Sequence, residues 1–244
     1  EVLRDHCQKR SIEFLSTAFT IESLEFLVSL GIKRIKIPSG EITNFPLLLK
    51  SSTFGLPIIL SSGLSYMSEI ERAVSVLVDN GVNKNEITVL HCTTEYPAPI
   101  KSVNLSAMKT INEEMEVDVG YSDHTRNSEV PIAAVAMGAV TVEKHFTKSR
   151  KLDGPDHMAS LEPNELSEMI ISIRNTETLM GSSEKKPSTD ELKNLNVIRK
   201  SIVAKKRIKK GEILSDVNLT TKRPGDGISP MEWKKIINTE AKKQ

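Results

Sequence analysis

The chain has 244 residues, 38% of them hydrophobic, 27% charged and 4% aromatic, with 33 basic against 32 acidic side chains and a net charge of +1. That apolar content over that length fills one large domain, or a large and a small one, while balanced charge and scarce aromatics offer no nucleic-acid surface. Cys7 and Cys92 alone cannot build a disulfide framework, which points to a reducing cytoplasm, and no apolar run approaches the roughly 18 to 20 residues of a membrane span.

Six short apolar runs occur in the first 147 residues, at 13–19, 32–40, 57–63, 87–93, 116–123 and 139–147, spaced as strand-plus-helix units are. After the first run, "TIESLEFLVSLG" predicts a helix with Thr20 as N-cap and Gly31 just beyond its C-terminus. After the third, "SEIERAVSVLVDNG" offers Ser68 and Gly81 for the same roles. After the fifth, "NSEVPIAAVAMGA" is a helix that tolerates its proline if Pro131 falls in the first turn. Strict alternation of strand and helix predicts a parallel sheet covered by helices.

A doubly wound sheet fits the count of runs. Two features favour a (β/α)8 TIM barrel instead: polar residues gather at the C-terminal end of every strand, and no first turn carries a G-x-G-x-x-G phosphate loop. The six runs would then be strands 3–8, with two units preceding Glu1. A last helix spans 163–181, and the polar, charged segment 182–200, with Pro187, reads as a linker containing about one helical turn. Residues 201–244 bring short β-branched runs, glycine turns and a Pro-Gly pair, the pattern of a small second domain. The expected domains are therefore 1–181, 182–200 and 201–244.

Alternation along "TVEKHFT" places Glu143 and His145 on one strand face, and Val142, Lys144 and Phe146 on the other. In "VDVGYSDHT" Ser122 pairs with His124, opposite Val117, Val119 and Tyr121, and Asp123 is left to orient a neighbour or tighten the turn. Adjacent barrel strands then present His124 and His145 side by side. They form half of a divalent-metal site, or each bonds a neighbouring carboxylate. Asp156, in "LDGPDHMAS", could add an oxygen ligand or act as a base through water, while His157 reads as a loop residue.

Lys36, in "KIPSGE", is a Schiff-base nucleophile, an anion clamp or a solvated strand lysine. Ser39, and Ser61, Ser62 and Gly63 of "PIILSSG", end strands with hydroxyls and N–H groups suited to phosphate or carboxylate oxygens. Ser16 and Thr17, and Thr94 and Tyr96 in "HCTTEYP", occupy similar places. The basic run "KKRIKKGE" reads as a solvated hairpin.

Taken in order, "STAF", "KIPSGE", "ILSSG", "HCTTEYP", "GYSDHT", "EKHFT", "GPDHMAS" and "KKGEILSDVNLTTKRPGDGISP" resemble the sialic acid synthases over nearly the whole chain, both N-acetylneuraminate and N,N'-diacetyllegionaminate types. The resemblance implies a TIM barrel followed by an antifreeze-like SAF domain, in a domain-swapped homodimer, with the chain cut at both ends. The family's first two strands would lie outside it, leaving open sheet edges that lower its stability.

It also implies condensation of phosphoenolpyruvate with N-acetylmannosamine and water to N-acetylneuraminate and phosphate, or with a 2,4-diacetamido-2,4,6-trideoxymannose to the legionaminate. The cofactor would be a divalent metal, Mn²⁺ or else Mg²⁺ or Co²⁺, on His124 and His145. Lys36, Ser39 and Ser61 would clamp phosphoenolpyruvate, with Thr17 and Ser122 beside it. Glu143, Thr94, Tyr96 and Asp156 would surround the sugar and a water, Lys36, Glu143 and Asp156 being the catalytic set. Arg223 would reach the N-acetyl group in the partner subunit's site. Thr94 stands where many N-acetylneuraminate-forming members carry asparagine. A lysine-dependent aldolase, and an ice- or carbohydrate-binding module on an inert barrel, are the alternatives.

Overall fold

The computed structural model describes residues 1–243, which form two compact units that divide after Gly181. The first unit alternates α1 (Val2–Lys9), α2 (Ile21–Ser29), β1 (Ile35–Ile37), α3 (Phe45–Ser52), β2 (Ile58–Ser61), α4 (Met67–Asp79), β3 (Ile87–Cys92), α5 (Ser106–Met115), β4 (Asp118–Asp123), α6 (Glu129–Ala136), β5 (Thr141–Lys144) and α7 (Pro163–Met180). All five strands are parallel and lie side by side in chain order, β1-β2-β3-β4-β5. Sequential order decides between the two candidate folds, because a doubly wound sheet reverses its strand order at a switch point and a barrel does not. The unit is an arc of the expected (β/α)8 barrel.

The run at 13–19 differs from expectation. It forms no strand, only one parallel bridge from Thr17 to Lys36. Its other ties to the sheet are side chains: Glu13 takes a two-point ion pair from Arg34 at 2.7 and 2.9 Å, and Phe14 packs on the core.

Helix ends follow local chemistry. Thr20 caps α2 by accepting the Ser23 N–H at 3.2 Å, and Gly31 beyond the helix takes the left-handed φ of 80°. The expected Ser68 cap moves two residues earlier. Tyr66 is the N-cap residue of α4, and its N–H is satisfied by the Glu69 carboxylate at 2.8 Å, which makes Ser68 part of the first turn. Pro131 lies in the first turn of α6, where its missing N–H costs nothing. Leu24 and Leu27 of α2, Ile70, Ala73, Val74 and Leu77 of α4, and Met108 and Ile111 of α5 meet Ile35, Ile37, Ile58, Leu60, Ile87 and Val89 in one continuous core. That core anchors the strands whose C-terminal ends carry the polar residues.

In the second unit, α8 (Thr189–Ile198) is a helix of 10 residues, longer than the single turn expected of this linker. Ser188 and Glu191 explain it through a reciprocal cap, at 3.2 and 2.8 Å. Antiparallel β6 (Ser201–Ala204) and β7 (Leu219–Lys222) follow, then α9 (Trp233–Ile236). The basic run lies exposed between the two strands, turning at Gly211 with φ 84°. Among the described residues no helix is long and apolar enough to cross a membrane.

His91 on β3 is half-buried, with Nε2 donating to the Val103 carbonyl at 2.9 Å, and burial holds its pKa below the ordinary 6.5. A depressed imidazole pKa means that the unfolded chain binds the proton first, so stability is intact above 6.5 and falls as pH drops below it. His91→Gln, which keeps a donor for Val103, is expected to flatten this part of the decline in melting temperature between about pH 7 and pH 5, where the unfolded imidazole titrates.

Candidate active site

Strand parity puts the polar residues together. In the β4–β5 register Ser122 stands opposite Glu143, two residues before the histidines, and Lys36 lies on β1 across the arc. Ser122 Oγ donates to Glu143 Oε1 at 2.7 Å, and Lys36 Nζ pairs with Glu143 Oε2 at 3.1 Å. One carboxylate thus ties β4 and β5 to the lysine of β1. Lys36 is buried while Glu143 is 44% exposed, so the pair opens to solvent through the carboxylate. An ion-paired ammonium is a poor amine nucleophile, which counts against the Schiff-base reading of Lys36, and its burial counts against the solvated one.

Beside this chain three rings meet. His124 and His145 lie 5.4 Å apart between centroids, edge to face, and Tyr96 lies 4.1 Å from His124 and 5.5 Å from His145. His124 Nδ1 is 2.6 Å from the Thr93 carbonyl, which can only accept, so Nδ1 carries the hydrogen and Nε2 keeps its lone pair. Burial pushes the His124 pKa down and keeps the imidazole neutral, and it pushes the Tyr96 phenol up. Asp156 Oδ2 stands 4.0 Å from His145 Nδ1, beyond hydrogen-bond range. Among the described residues no group of three or more His, Cys, Asp or Glu side chains surrounds one point. The two imidazoles, with the Nε2 lone pair of His124 free, are donors of the type a divalent metal takes.

A third group closes the floor. Ser39 Oγ accepts the Gly63 N–H at 2.9 Å and lies 3.3 Å from Cys92 Sγ. Burial raises the Cys92 pKa, so the thiol stays protonated. Ser61 Oγ is buried at the end of β2 without a hydrogen-bond partner from the described residues. Thr17 bridges Lys36 on its other side. Of the residues expected from the sequence, Lys36, Ser122, Glu143, Tyr96, His124, His145 and Asp156 form one neighbourhood. Ser39 and Thr94 converge on Gly63. Arg223 belongs to the second unit, where its Nε donates to the Ile198 carbonyl at 2.8 Å. His157, expected in a loop, opens a short 3-10 turn (His157–Ala159) and is bonded through Nδ1 to Thr147 Oγ1 at 2.7 Å.

Cys92 was not singled out by sequence reasoning. The signal lay in its parity: two residues before Thr94, it faces the same way along an extended chain. Gly63 offers its N–H, and its lack of a side chain matters as much. A Cβ there would come within 2.9 Å of both Cys92 Sγ and Ser39 Oγ and would collide with Thr94 Oγ1.

The NeuB family model matches residues 1–185, and the SAF domain model matches residues 199–244. The chain belongs to the NeuB family. Within this family it is 52% identical to the N,N'-diacetyllegionaminic acid synthase of Campylobacter jejuni over 98% of its length and 71% of the relative's. It is 44% identical to the synthase of the same name from Legionella pneumophila, over 98% of this chain and 67% of that one. Among solved structures, the N-acetylneuraminic acid synthetase of Leptospira borgpetersenii superposes with a TM-score of 0.75 at 36% identity, covering 79% of this chain and 67% of the other. The resemblance read from the motifs holds, and this NeuB chain is a sugar-acid synthase of the transferase type.

Gly63→Ala tests the floor. Overpacking of this kind costs about 1–3 kcal/mol of stability. Displacing Ser39 and Thr94 by a fraction of an ångström is expected to lower turnover on the order of a hundredfold, in steady-state assays on protein that is still folded.

Proposed function

We propose that this chain condenses phosphoenolpyruvate with 2,4-diacetamido-2,4,6-trideoxymannose and water, giving N,N'-diacetyllegionaminate and phosphate. The observation that carries the reading is the Lys36–Glu143–Ser122 chain beside two ring-packed imidazoles. Identities of 52% and 44% to two synthases named for that product support the choice of sugar. The acceptor N-acetylmannosamine, giving N-acetylneuraminate, is the second reading, supported by the likeness to the Leptospira synthetase.

In this reading Lys36, Ser39 and the free hydroxyl of Ser61 hold the anionic carboxylate and phosphate oxygens, with Thr17 and Ser122 alongside. C3 of phosphoenolpyruvate bonds to the aldehyde carbon of the open-chain sugar. Water then adds at C2, and the C2–O bond breaks as phosphate leaves. Glu143, held in place by Ser122 and Lys36, is the group positioned to accept a proton. Asp156 and Tyr96, at the open side, orient the sugar with Thr94. When bound at His124 and His145, a divalent ion, Mn²⁺ or else Mg²⁺ or Co²⁺, supplies Lewis acidity toward the aldehyde oxygen. Arg223 is assigned to the N-acetyl group in the partner subunit's site of a domain-swapped homodimer. Two free cysteines fit a cytoplasmic setting.

The test supplies phosphoenolpyruvate with each sugar in parallel and measures phosphate. A kcat/KM at least about tenfold higher for the diacetamido sugar, a transition-state preference near 1.4 kcal/mol, is expected. The reverse preference installs the second reading, and release from neither, or a borohydride-trapped adduct on Lys36, overturns the synthase assignment. His145→Ala is expected to abolish metal-dependent release, and near-normal turnover would remove His145 from the metal site.

A further inference from the structure

Behind the two histidines, on the opposite face of the same strands, lies a buried ion pair that the proposed reaction does not use. Lys144 and Asp123 are register partners on β5 and β4, and their side chains are 3% and 0% exposed. Lys144 Nζ donates to Asp123 Oδ2 at 2.6 Å. It also donates to the backbone carbonyls of Thr125 and Asn127, the latter at 3.3 Å. Asp123 Oδ1 in turn accepts the Thr125 N–H at 2.9 Å, and Thr125 Oγ1 donates to Oδ2 at 3.2 Å. The three lysine bonds fasten the 123–127 turn to the strand that leads into His145, and the two Asp123–Thr125 bonds brace the turn internally.

His124 sits between two clamped residues of that turn, Asp123 and Thr125. His145 directly follows the lysine that does the clamping. The pair therefore fixes two quantities at once: the register that sets Ser122 against Glu143, and the path of the backbone that aims His124 at His145. A lysine charge buried on a helix-facing surface is costly to retain unless it is fully bonded, and here three acceptors occupy the ammonium's three donors.

We infer that Asp123 and Lys144 are positioning residues for the two-histidine site, an ionic clamp on the outer face of the barrel wall that sets the imidazole spacing on the inner face. This rests on the metal reading of His124 and His145 given above.

The experiment uses the full chain freed of metal, with Mn²⁺ alone as the probe, its affinity read from the electron paramagnetic resonance signal of the free ion. Lys144→Met, Asp123→Asn, their combination and His145→Ala are compared, with circular dichroism to confirm folding. Each clamp variant is expected to weaken Mn²⁺ affinity about 10- to 100-fold in folded protein, the range seen when groups supporting metal ligands are removed. The double variant should be no weaker than the worse single one, because both remove one interaction. If Lys144→Met fails to fold, Asp123→Asn carries the test alone, since the amide oxygen can still accept from Thr125 while the charge is lost. A lower melting temperature with unchanged Mn²⁺ affinity, or additive losses, overturns the clamp. Unchanged affinity in His145→Ala overturns the metal reading beneath it, so the two failures are told apart.

Discussion

The pairing register of β4 with β5 is the constraint on which the site depends. In a strand pair a slip of one residue exchanges the two faces, and every inward side chain becomes outward. At the observed register Ser122 meets Glu143 on one face, Asp123 meets Lys144 on the other, and the two imidazoles follow one residue later. A slip would bury the Glu143 carboxylate among helices and turn Lys144 into the site, separating the ion pair and the Ser122 bond together. The polar contacts on both faces thus select the same alignment that the apolar residues Val119 and Tyr121 select by burial.

Electrostatics then divides the site into complementary parts. Lys36 brings a cation to one side, and its charge is met by a carboxylate that stays accessible. On the other side, burial keeps His124 neutral and a carbonyl fixes its tautomer, which is the state an imidazole needs to bind a metal. Were His124 protonated, it would repel both a metal ion and the Lys36 ammonium. The same low-dielectric setting that raises the Cys92 thiol leaves it as an uncharged filler under Ser39, so the floor adds shape without adding charge.

Much of this was legible in the sequence because strand parity is a short-range rule. Two-residue spacing puts Ser122 with His124 and Glu143 with His145, and the alternation of runs implies the order of strands. The Glu13 segment escaped because apolar composition alone cannot say whether an extended run pairs its backbone or merely leans on the core. Ser68 escaped because Tyr66 and Glu69 satisfied the helix end by a backbone N–H and a carboxylate, with no help from a serine. Lys144 was assigned to the helix-facing side correctly, and that assignment contained an unread signal: a lysine expected among apolar helix contacts requires an anionic partner, and parity offers Asp123. The contact at Gly63 lies outside local rules, since Ser39 follows β1 while Cys92 ends β3 and Thr94 follows it.

A last distinction concerns where each half of the proposed chemistry resides. Three of the residues assigned to phosphoenolpyruvate lie on strands and are deeply buried: Lys36 is 7%, Ser61 3% and Ser122 2% exposed. Those assigned to the sugar follow the strands on loops and face outward, with Tyr96 47% exposed and the Asp156 side chain 59%. Buried strand ends are tied to core packing and register, so substitutions there disturb the fold as well as the site. Exposed loop residues can change with little structural penalty. A scaffold partitioned in this way keeps one carbon–carbon bond-forming reaction while the acceptor changes, which accounts physically for relatives in one family that carry the names of different sugar acids. On this assignment the motifs identify the reaction more sharply than the sugar because buried strand residues are the more constrained of the two sets.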